Sequence, residues 1–334
     1  MKIAFVGKGG SGKSTMSSLF VRYLQRQAKR RVLAIDADLN MNLSGLLGVE
    51  VSHRKLLARP DVAASIRMHL KGTNPRLTDI ERFLPTTPPG TGSNLISDAD
   101  DPAVAPYAVP IASQPAINLL TVGSYDTDGI GQTCYHSHLF VAENLLSHTV
   151  TNSHFAVVCD MVAGTDSFAY SLHLQFDAII LIAEPTPESV EVCRLFLGLA
   201  RDSGVDSLVA VVANKVVDDE DLLYIRQALG QEPLAVVPLL SSLKKARQNG
   251  KPVDAELVEN HLQQAMKAVE RKGEMPAITA AERMEMLRKL HLKLNSKQWV
   301  QQGYGDVADQ IDPDFLHPGY AISQSRPEKA GALV

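Results

Sequence analysis

Residues 7–15 read GKGGSGKST, and this stretch decides the fold because it matches the phosphate-loop pattern G-x4-G-K-[S/T]. A short apolar run, residues 2–6, precedes it, and a segment with apolar residues on one helical face follows it. Successive glycines let backbone N–H groups turn toward phosphate oxygens, while the helix N-terminus adds partial positive charge. The pattern therefore predicts a nucleotide site whose contacts are Gly7, Lys8, Gly9, Gly10, Ser11, Gly12, Lys13, Ser14 and Thr15.

Three side chains of this loop have distinct expected roles. Lys13 reaches the β- and γ-phosphates of the nucleotide, Ser14 ligates Mg²⁺, and Thr15 contacts the α-phosphate. The alternative, a glycine-rich turn that carries a lysine by chance, is disfavoured because the loop lies between a predicted strand and a predicted helix.

Apolar runs alternate with segments of helical length along most of the chain. The runs that have the pattern of buried strands are residues 2–6, 31–36, 117–123, 155–160, 178–184, 207–215 and 234–239. The helical segments between them include residues 188–202 and 219–229. This alternation predicts an α/β fold with a mostly parallel, doubly wound sheet flanked by helices. Ligands of such sheets bind at the carboxyl ends of the strands, where Asp36, Asp160 and Asn214 fall.

Two segments interrupt this alternation. Residues 58–116 are rich in proline, glycine and aspartate, which predicts a helical excursion and a mobile loop inserted in the domain. We expect the domain that carries the phosphate loop to span residues 1–254 and a helical and irregular extension to span 255–334. In the extension, Thr279 and Glu282 form a potential capping box ahead of an apolar stripe, which predicts a helix. The last residues show no sustained period, so they drape over the domain or are disordered.

Composition restricts the compartment and the class of partner. The 334 residues are 45% hydrophobic and 21% charged with a formal net charge of -4, so the whole chain has no charge that favours nucleic acid or an acidic membrane. The basic stretches at residues 25–31 and 242–251 have the size of ordinary solvated faces. Three cysteines make no disulfide framework, and no run approaches the length of a membrane span. We expect a cytoplasmic protein with no membrane partner, and nucleic acid is a disfavoured partner.

The second lysine of the loop, Lys8, calls for a separate explanation, because two ammonium groups directed at one site repel each other. The loop resembles the deviant pattern G-K-G-G-x-G-K-[S/T] of the ATPase family that contains division-site placement and plasmid-partition ATPases, nitrogenase iron protein and arsenite-pump ATPases. This resemblance implies ATP and Mg²⁺ as cofactors and a homodimer that encloses two nucleotides. It also implies that Lys8 acts in the partner's site, stabilising charge as an arginine finger does.

Two further motifs resemble the nucleotide-sensing switches of that family. DADLNMNL (36–43) is similar to the first switch, which implies that Asp38 orients the attacking water and that Asp36 lies near Mg²⁺. VVCDMVAGTD (157–166) is similar to the second, which implies that Asp160 holds Mg²⁺ through water and that the Gly164 amide meets the γ-phosphate. The resemblance thus assigns catalysis to Lys8, Lys13 and Asp38, and Mg²⁺ to Ser14, Asp36 and Asp160. Helix capping is the alternative role for these aspartates.

The motif ANK (213–215) follows a predicted strand, as nucleotide-specificity motifs do. A guanine site of the N-K-x-D type needs a carboxylate three residues after Asn214, but Val217 occupies that position and Asp218 comes one residue late. Adenine is therefore the preferred base, with Asn214, Pro238 and Leu239 as its expected contacts.

The motif GQTCYHSH (131–138) contains three potential metal ligands, Cys134, His136 and His138. A thiolate with imidazoles suits Zn²⁺, Ni²⁺ or copper. In position it resembles the Cys-x-Cys of accessory ATPases that mature carbon monoxide dehydrogenase, which binds metal at a dimer interface; here His136 replaces the second cysteine, which lowers the expected affinity for soft metals. A structural cysteine with surface histidines is the alternative. The likeness to that branch covers about residues 1–252.

Two functions are compatible with these motifs. The first is an ATP-switched dimer that serves metallocentre assembly in a client metalloenzyme, with Zn²⁺ or Ni²⁺ at the cysteine–histidine motif. The second is a positioning or partition-type ATPase that switches its binding to DNA or to a protein. Electron transfer like that of nitrogenase iron protein is excluded, because the next cysteine after Asp160 is Cys193, too far along the chain to share a cluster.

Overall fold

The computed structural model describes residues 1–111, 114–124, 135–253, 262–316 and 318, without the side chains of residues 135, 136, 246 and 247. The strands are β1 Lys2–Gly7, β2 Arg31–Ala37, β3 Val109–Ile111, β4 Ile117–Thr121, β5 Phe155–Met161, β6 Ala178–Ala183, β7 Val209–Val216 and β8 Ala235–Pro238. The helices are α1 Lys13–Arg26, α2 Asn42–Leu47, α3 Pro60–Lys71, α4 Tyr135–Ser147, α5 Pro187–Asp202, α6 Asp219–Leu229, α7 Ser241–Gln248, α8 Gln263–Glu274, α9 Ala280–Asn295 and α10 Gln298–Tyr304.

Within the described ranges the strands form one eight-stranded sheet in the order β3-β4-β2-β5-β1-β6-β7-β8. Every neighbouring pair is parallel except β3 with β4, so the predicted mostly parallel, doubly wound sheet is confirmed. Strand β5 lies between β1 and β2, and Asp36 of β2 is in register with Asp160 of β5. Because parallel strands end at one edge, the phosphate loop and both aspartates meet there.

The sheet buries both of its faces, as the continuous apolar strands require. Alternate residues of each strand enter two separate cores, since successive side chains of a strand point to opposite faces. Val6 and Cys159 lie in the core covered by α3, α4 and α5, while Phe5 and Val158 lie in the core covered by α1 and α8. The thiols of Cys159, in strand β5, and of Cys193, in α5, are both buried in the core covered by α3, α4 and α5.

Strand β3 is the one element of the sheet that the sequence did not predict. It has three residues and includes Pro110, and it pairs antiparallel with β4 at the sheet edge. Proline cannot donate to a strand ladder, so an edge position is the one it tolerates, and so short a run carries no periodicity to detect.

The extension contains more helix than the one predicted. Helix α9 begins with the expected capping box, in which Thr279 and Glu282 exchange side-chain and backbone hydrogen bonds. Helix α8 packs beside α1 through Met266 and Val269, and α9 packs through Leu287 against a cluster that includes Leu208. Helices α8 and α9 of the extension therefore bury apolar side chains of the domain.

The proline-rich segment is packed rather than loose, contrary to the expected mobile loop. After α3, residues 83–90 are all buried. The segment is tied to the extension by Thr86 with His291 at 3.0 Å, Thr87 with Gln310 at 2.8 Å, and the Thr91 N–H with Asp312 at 2.9 Å. The two irregular parts of the chain thus satisfy each other's polar groups.

Across the described parts of the chain, no helix is both long enough and apolar enough to cross a bilayer.

Candidate nucleotide-binding site

Two glycines of the phosphate loop are required by close approach as well as by backbone shape. Gly7 has φ +145, and a Cβ there would lie 2.7 Å from the Ile182 carbonyl oxygen. Gly12 has φ +99, and a Cβ there would lie 2.4 Å from the Asn214 amide nitrogen. A side chain at position 7 would clash with the β6 backbone, and one at position 12 would have to displace the Asn214 side chain of β7, so both positions favour glycine.

A cavity of about 580 Å³ opens in front of this loop, within the range of small-ligand sites. The sequence-predicted residues that line it are Gly9, Gly10, Gly12, Lys13, Ser14, Thr15, Asp38, Asn214, Pro238 and Leu239. Those that do not line it are Gly7, Lys8, Ser11, Asp36, Asp160 and Gly164. The lining residues that the sequence did not single out are Met16, Asn40, Asn42, Ala163, Lys215, Val237, Leu240, Leu243, Lys244 and Gln248. Polar groups thus lie at the loop end, and Leu239 and Leu240, which follow β8, lie with Leu243 of α7 at the other end.

Lys13 and Asp38 form an ion pair beside the loop. The ammonium lies 3.4 Å from the Asp38 Oδ2, and the two side chains are 5% and 6% exposed. The other carboxylate oxygen accepts from the Asn40 backbone N–H at 3.0 Å and from its side-chain amide at 2.9 Å. Asp38 is therefore held at the cavity wall, next to the lysine expected to bind phosphate.

Asp160 and Asp36 form a buried acidic pair beneath Lys13. Burial raises the pKa of Asp160 to about 7, while the nearby Ser14 hydroxyl and the Lys13 ammonium pull that pKa down. Among the described residues, neither Asp160 oxygen has a hydrogen-bond partner of good geometry. Burial, and then the Asp160 charge, raise the pKa of Asp36 well above its usual range. Two buried carboxylates and a hydroxyl oxygen suit a hard cation, so Asp160 and Ser14 fit Mg²⁺.

Asp36 makes a contact of the kind expected from helix capping, the alternative role of this aspartate. Its oxygens accept the Leu43 N–H at 2.9 Å and the Asp38 N–H at 3.3 Å. The carboxylate therefore fixes the turn that presents Asp38 and begins α2. Its role toward Mg²⁺ stays a prediction.

Lys8 is placed differently from Lys13. It is half-buried, and the hydrogen bond that its ammonium makes within the described structure is a long one, 3.5 Å to the Gly9 carbonyl. It does not line the cavity of its own chain. An ammonium group without a strong partner beside a phosphate loop is available to a ligand outside that cavity.

Gly164 lies against the phosphate loop in the described conformation. Its N–H donates to the Gly7 carbonyl at 3.1 Å. A contact from this amide to a γ-phosphate requires that bond to open, so the contact stays a prediction.

The motif at the end of β7 contacts the phosphate loop directly. The Asn214 amide donates to the Ser11 carbonyl at 2.8 Å, and the Lys215 ammonium donates to the Gly10 carbonyl at 2.8 Å. Asp218 caps α6 by accepting the Asp221 N–H, so its carboxylate is used there. The sequence had assigned Asn214 to the base; its contact with the loop had no sequence signal beyond its place after a strand.

The cysteine–histidine motif falls largely outside the described residues. Cys134 precedes α4 and is not described, nor is the side chain of His136, whereas His138 is half-buried in the first turn of α4. Within the parts that are described, no group of three histidine, cysteine, aspartate or glutamate side chains could hold a metal ion. Zn²⁺ or Ni²⁺ binding by this motif therefore stays a prediction.

The fold and the cavity define an α/β protein that binds a nucleotide with a phosphate loop. Comparison with known families agrees, because the CobQ/CobB/MinD/ParA nucleotide binding domain matches residues 3–253. The chain belongs to this family, which confirms the resemblance inferred from the loop and switch motifs.

Individual relatives extend over most of the chain. An uncharacterized ATP-binding protein of Methanocaldococcus jannaschii is 30% identical over 259 residues, 76% of this chain and 91% of that protein. The carbon monoxide dehydrogenase accessory protein CooC of Rhodospirillum rubrum is 31% identical over 265 residues, 75% of this chain and 88% of that protein. A ParA family ATPase structure from Chlorobium tepidum shares the fold, with a TM-score of 0.53, 16% identity, and coverage of 82% of this chain and 97% of that one.

Proposed function

We propose that this chain hydrolyses ATP with Mg²⁺ and that hydrolysis resets a dimeric switch serving the assembly of a client's metal centre. The observation that carries the first part is the buried group of Lys13, Asp38 and Asp160 beside the phosphate-loop cavity. An ammonium, a carboxylate held at the wall and unpaired carboxylate oxygens beneath are the groups that phosphoryl transfer needs.

Each residue has a part in this proposal. Lys13 binds the β- and γ-phosphates, and Asp38 orients the attacking water once phosphate has taken its lysine partner. Asp160, with Ser14, holds Mg²⁺, which when bound neutralises the charge that develops on the phosphates. Lys8 lies outside the cavity of its own chain and makes one long hydrogen bond, so its ammonium can reach the nucleotide bound to a second copy of the chain.

Adenine is the proposed base. Three residues after Asn214 stands Val217, which cannot accept from guanine, and the next residue, Asp218, is engaged at the start of α6. The base end of the cavity is formed by Pro238 at the end of β8, by Leu239 after it, and by Leu243 of α7. One hydrogen of the Asn214 amide is committed to Ser11, while its carbonyl oxygen can accept from an adenine amino group.

The assay for this part is phosphate release from ATP and from GTP, with and without Mg²⁺, alongside sizing of the protein by light scattering. We expect Mg²⁺-dependent release with a preference for ATP, and a doubling of mass with ATP. Lys13→Ala should abolish binding. A protein that binds ATP tightly yet stays monomeric and hydrolytically inert at every concentration would contradict the switch.

Service to a metal centre is supported by the likeness to CooC, which is an accessory protein of carbon monoxide dehydrogenase. On this proposal Cys134, His136 and His138 bind Zn²⁺ or Ni²⁺, and the client is a metalloenzyme. The test is metal analysis of the purified protein with ADP and with ATP, comparing wild type with Cys134→Ser. Stoichiometric metal that the variant loses is expected; absence of metal in both nucleotide states would remove this part and leave the ATPase standing.

A positioning or partition-type role is the second candidate, and one feature of the surface favours it. Lys244 and Lys245 are exposed on α7, beside the nucleotide cavity, where a nucleotide-dependent basic patch could meet DNA. Retention of DNA that needs ATP and weakens steeply with salt would favour this candidate over the metal-centre role.

A further inference from the structure

A third lysine, Lys215, reaches the phosphate loop without being aimed at phosphate. Its ammonium donates to the Gly10 carbonyl at 2.8 Å and pairs with the Glu184 carboxylate at 2.8 Å. Glu184 is 14% exposed and Lys215 is 38% exposed, so the pair lies at the rim of the cavity. With both partners in place, the charge of Lys215 is balanced and its direction is fixed.

The backbone at Lys215 is bent in a way that directs the side chain to the loop. Lys215 has φ +61, a left-handed conformation that is strained for a non-glycine residue. The pairing of β7 with β8 is irregular between Asn214 and Val216, as at a β-bulge. Bulges commonly re-aim a side chain at the end of a strand. In a regular β7 this side chain would point to one face of the sheet instead.

Lys215 and Asn214 together fix two consecutive carbonyls of the loop, those of Gly10 and Ser11. In a trans peptide the N–H of the next residue points opposite to the carbonyl. The Gly10 contact therefore turns the Ser11 N–H back into the loop, where it donates to the Lys8 carbonyl at 3.1 Å and closes the turn that carries Lys8. The Ser11 contact turns the Gly12 N–H away from Asn214 in the same manner.

We propose that Lys215 is a positioning residue for nucleotide binding: through the Gly10 carbonyl it holds the turn from Lys8 to Ser11 in its phosphate-binding shape, while Glu184 keeps its charge off the phosphates. This role rests on the proposed ATP site. Without the contact, the glycine-rich turn samples other shapes, and the nucleotide must select the competent one, which lowers affinity for every phosphate-bearing ligand alike.

The test compares three variants with wild type. Lys215→Met keeps the length and loses the ammonium, while Lys215→Arg keeps a cation that can reach both partners. Lys272→Met is the matched control, because the Lys272 ammonium also donates to a backbone carbonyl, that of Ser207, at 2.7 Å. Ser207 precedes β7, at the opposite edge of the sheet from the cavity.

The measurements are dissociation constants for ATP and ADP, by competition with a fluorescent ATP analogue, together with KM, kcat and thermal unfolding without nucleotide. For Lys215→Met we expect both dissociation constants to rise by about ten- to a hundredfold, the usual weight of a hydrogen bond from a charged group. KM should rise with them while kcat at saturating ATP changes little, because the free energy needed to order the loop is spent when the nucleotide binds. Lys215→Arg should recover most of the affinity.

A fourth variant separates positioning from direct phosphate binding. Glu184→Gln would free the Lys215 ammonium. If Lys215 ligates phosphate, this variant should bind nucleotide more tightly; if Lys215 positions the loop, it should bind equally or more weakly. Tighter binding by Glu184→Gln would overturn the proposal, as would unchanged affinity in Lys215→Met or an equal loss in Lys272→Met. A wild-type protein that binds no adenine nucleotide would overturn the proposed function itself, whereas wild-type binding retained by Lys215→Met would overturn this role alone.

Discussion

Replacing Glu143 by glutamine should change how the stability of the protein depends on pH. Glu143 lies in α4, and its carboxylate accepts the Ser171 N–H at 2.7 Å as well as the Ser171 hydroxyl. The Ser171 hydroxyl oxygen also lies 3.1 Å from the Pro85 carbonyl oxygen, a second acceptor for its one proton. Glu143 thereby connects α4 to the loop that follows Asp160 and to the proline-rich segment. Burial raises the pKa of Glu143 from 4.5 to about 8, although the Ser171 hydrogen bonds pull it down.

The sign of the effect follows from proton binding in the two states. Between pH 4.5 and 8 the native protein keeps the Glu143 proton and the unfolded chain releases it, so the free energy of unfolding falls as pH rises. The stabilising contribution is complete below pH 4.5 and is lost as pH rises toward 8. Each pH unit inside this window is worth about 1.4 kcal/mol, so the loss from pH 5 to pH 7 is roughly 3 kcal/mol.

Glutamine retains a carbonyl oxygen for Ser171 and does not titrate. Urea unfolding of wild type and Glu143→Gln from pH 5 to pH 8 therefore isolates this group, because the other titrations cancel in the difference. We expect the free energy of unfolding of Glu143→Gln, relative to that of wild type, to rise steadily as pH rises. Glu285→Gln, on the exposed side of α9, controls for loss of one acidic group. Parallel curves for wild type and Glu143→Gln would refute a neutral, buried Glu143.

Three further predictions concern the site and its surroundings. Lys8→Ala should leave monomer stability and ATP binding near wild type and reduce hydrolysis by about a thousandfold or more; unchanged phosphate release and unchanged ATP-dependent association would refute a role in trans. Gly12→Ala should destabilise the protein by about 1–3 kcal/mol and weaken ATP binding, because its Cβ would lie 2.4 Å from the Asn214 amide at φ +99; a thermal melt equal to wild type would contradict the close approach. ATP should alter the emission of Trp299, the single tryptophan, because Trp299 lies 6.2 Å from Tyr170 in the segment after Gly164; constant emission with ATP bound would place that segment outside the switch.

The layered fold could be predicted because it depends on patterns that are local in sequence. Buried parallel strands are continuous apolar runs, and the seven runs identified fall on β1, β2 and β4–β8 within about two residues. Helix α6 spans residues 219–229 as predicted. The packing of the proline-rich segment on the extension could not be predicted, since contacts such as Thr86 with His291 join residues far apart in the chain.

The candidate site also has residues that local motifs predict and residues whose contacts only the fold reveals. The phosphate loop and its cavity follow from a motif in which each residue type has a local reason. Lys215 belongs to the ANK motif, but its contact with the loop had no local signal, because it depends on a bulge and on a carbonyl more than two hundred residues earlier. For Asp36 the sequence allows a magnesium role or helix capping, and only the placement of α2 shows that its carboxylate accepts the Leu43 N–H.

Asp38 is the residue for which binding and catalysis should move in opposite directions. Its carboxylate pairs with the Lys13 ammonium at 3.4 Å in a setting from which water is largely excluded, so an incoming phosphate must displace it. Asp38→Asn keeps the oxygen that accepts from Asn40 and removes the charge that competes for Lys13.

We expect Asp38→Asn to bind ATP about tenfold more tightly, or roughly 1.4 kcal/mol, since Coulomb attraction at that distance is partly offset by desolvation. Hydrolysis should fall by orders of magnitude, because the water loses its orienting carboxylate. Asp61→Asn, which breaks an exposed ion pair with Arg59 outside the cavity, is the control. Weaker ATP binding by Asp38→Asn would mean that the ion pair prepares the loop for phosphate, and the competition inferred from this geometry would be wrong.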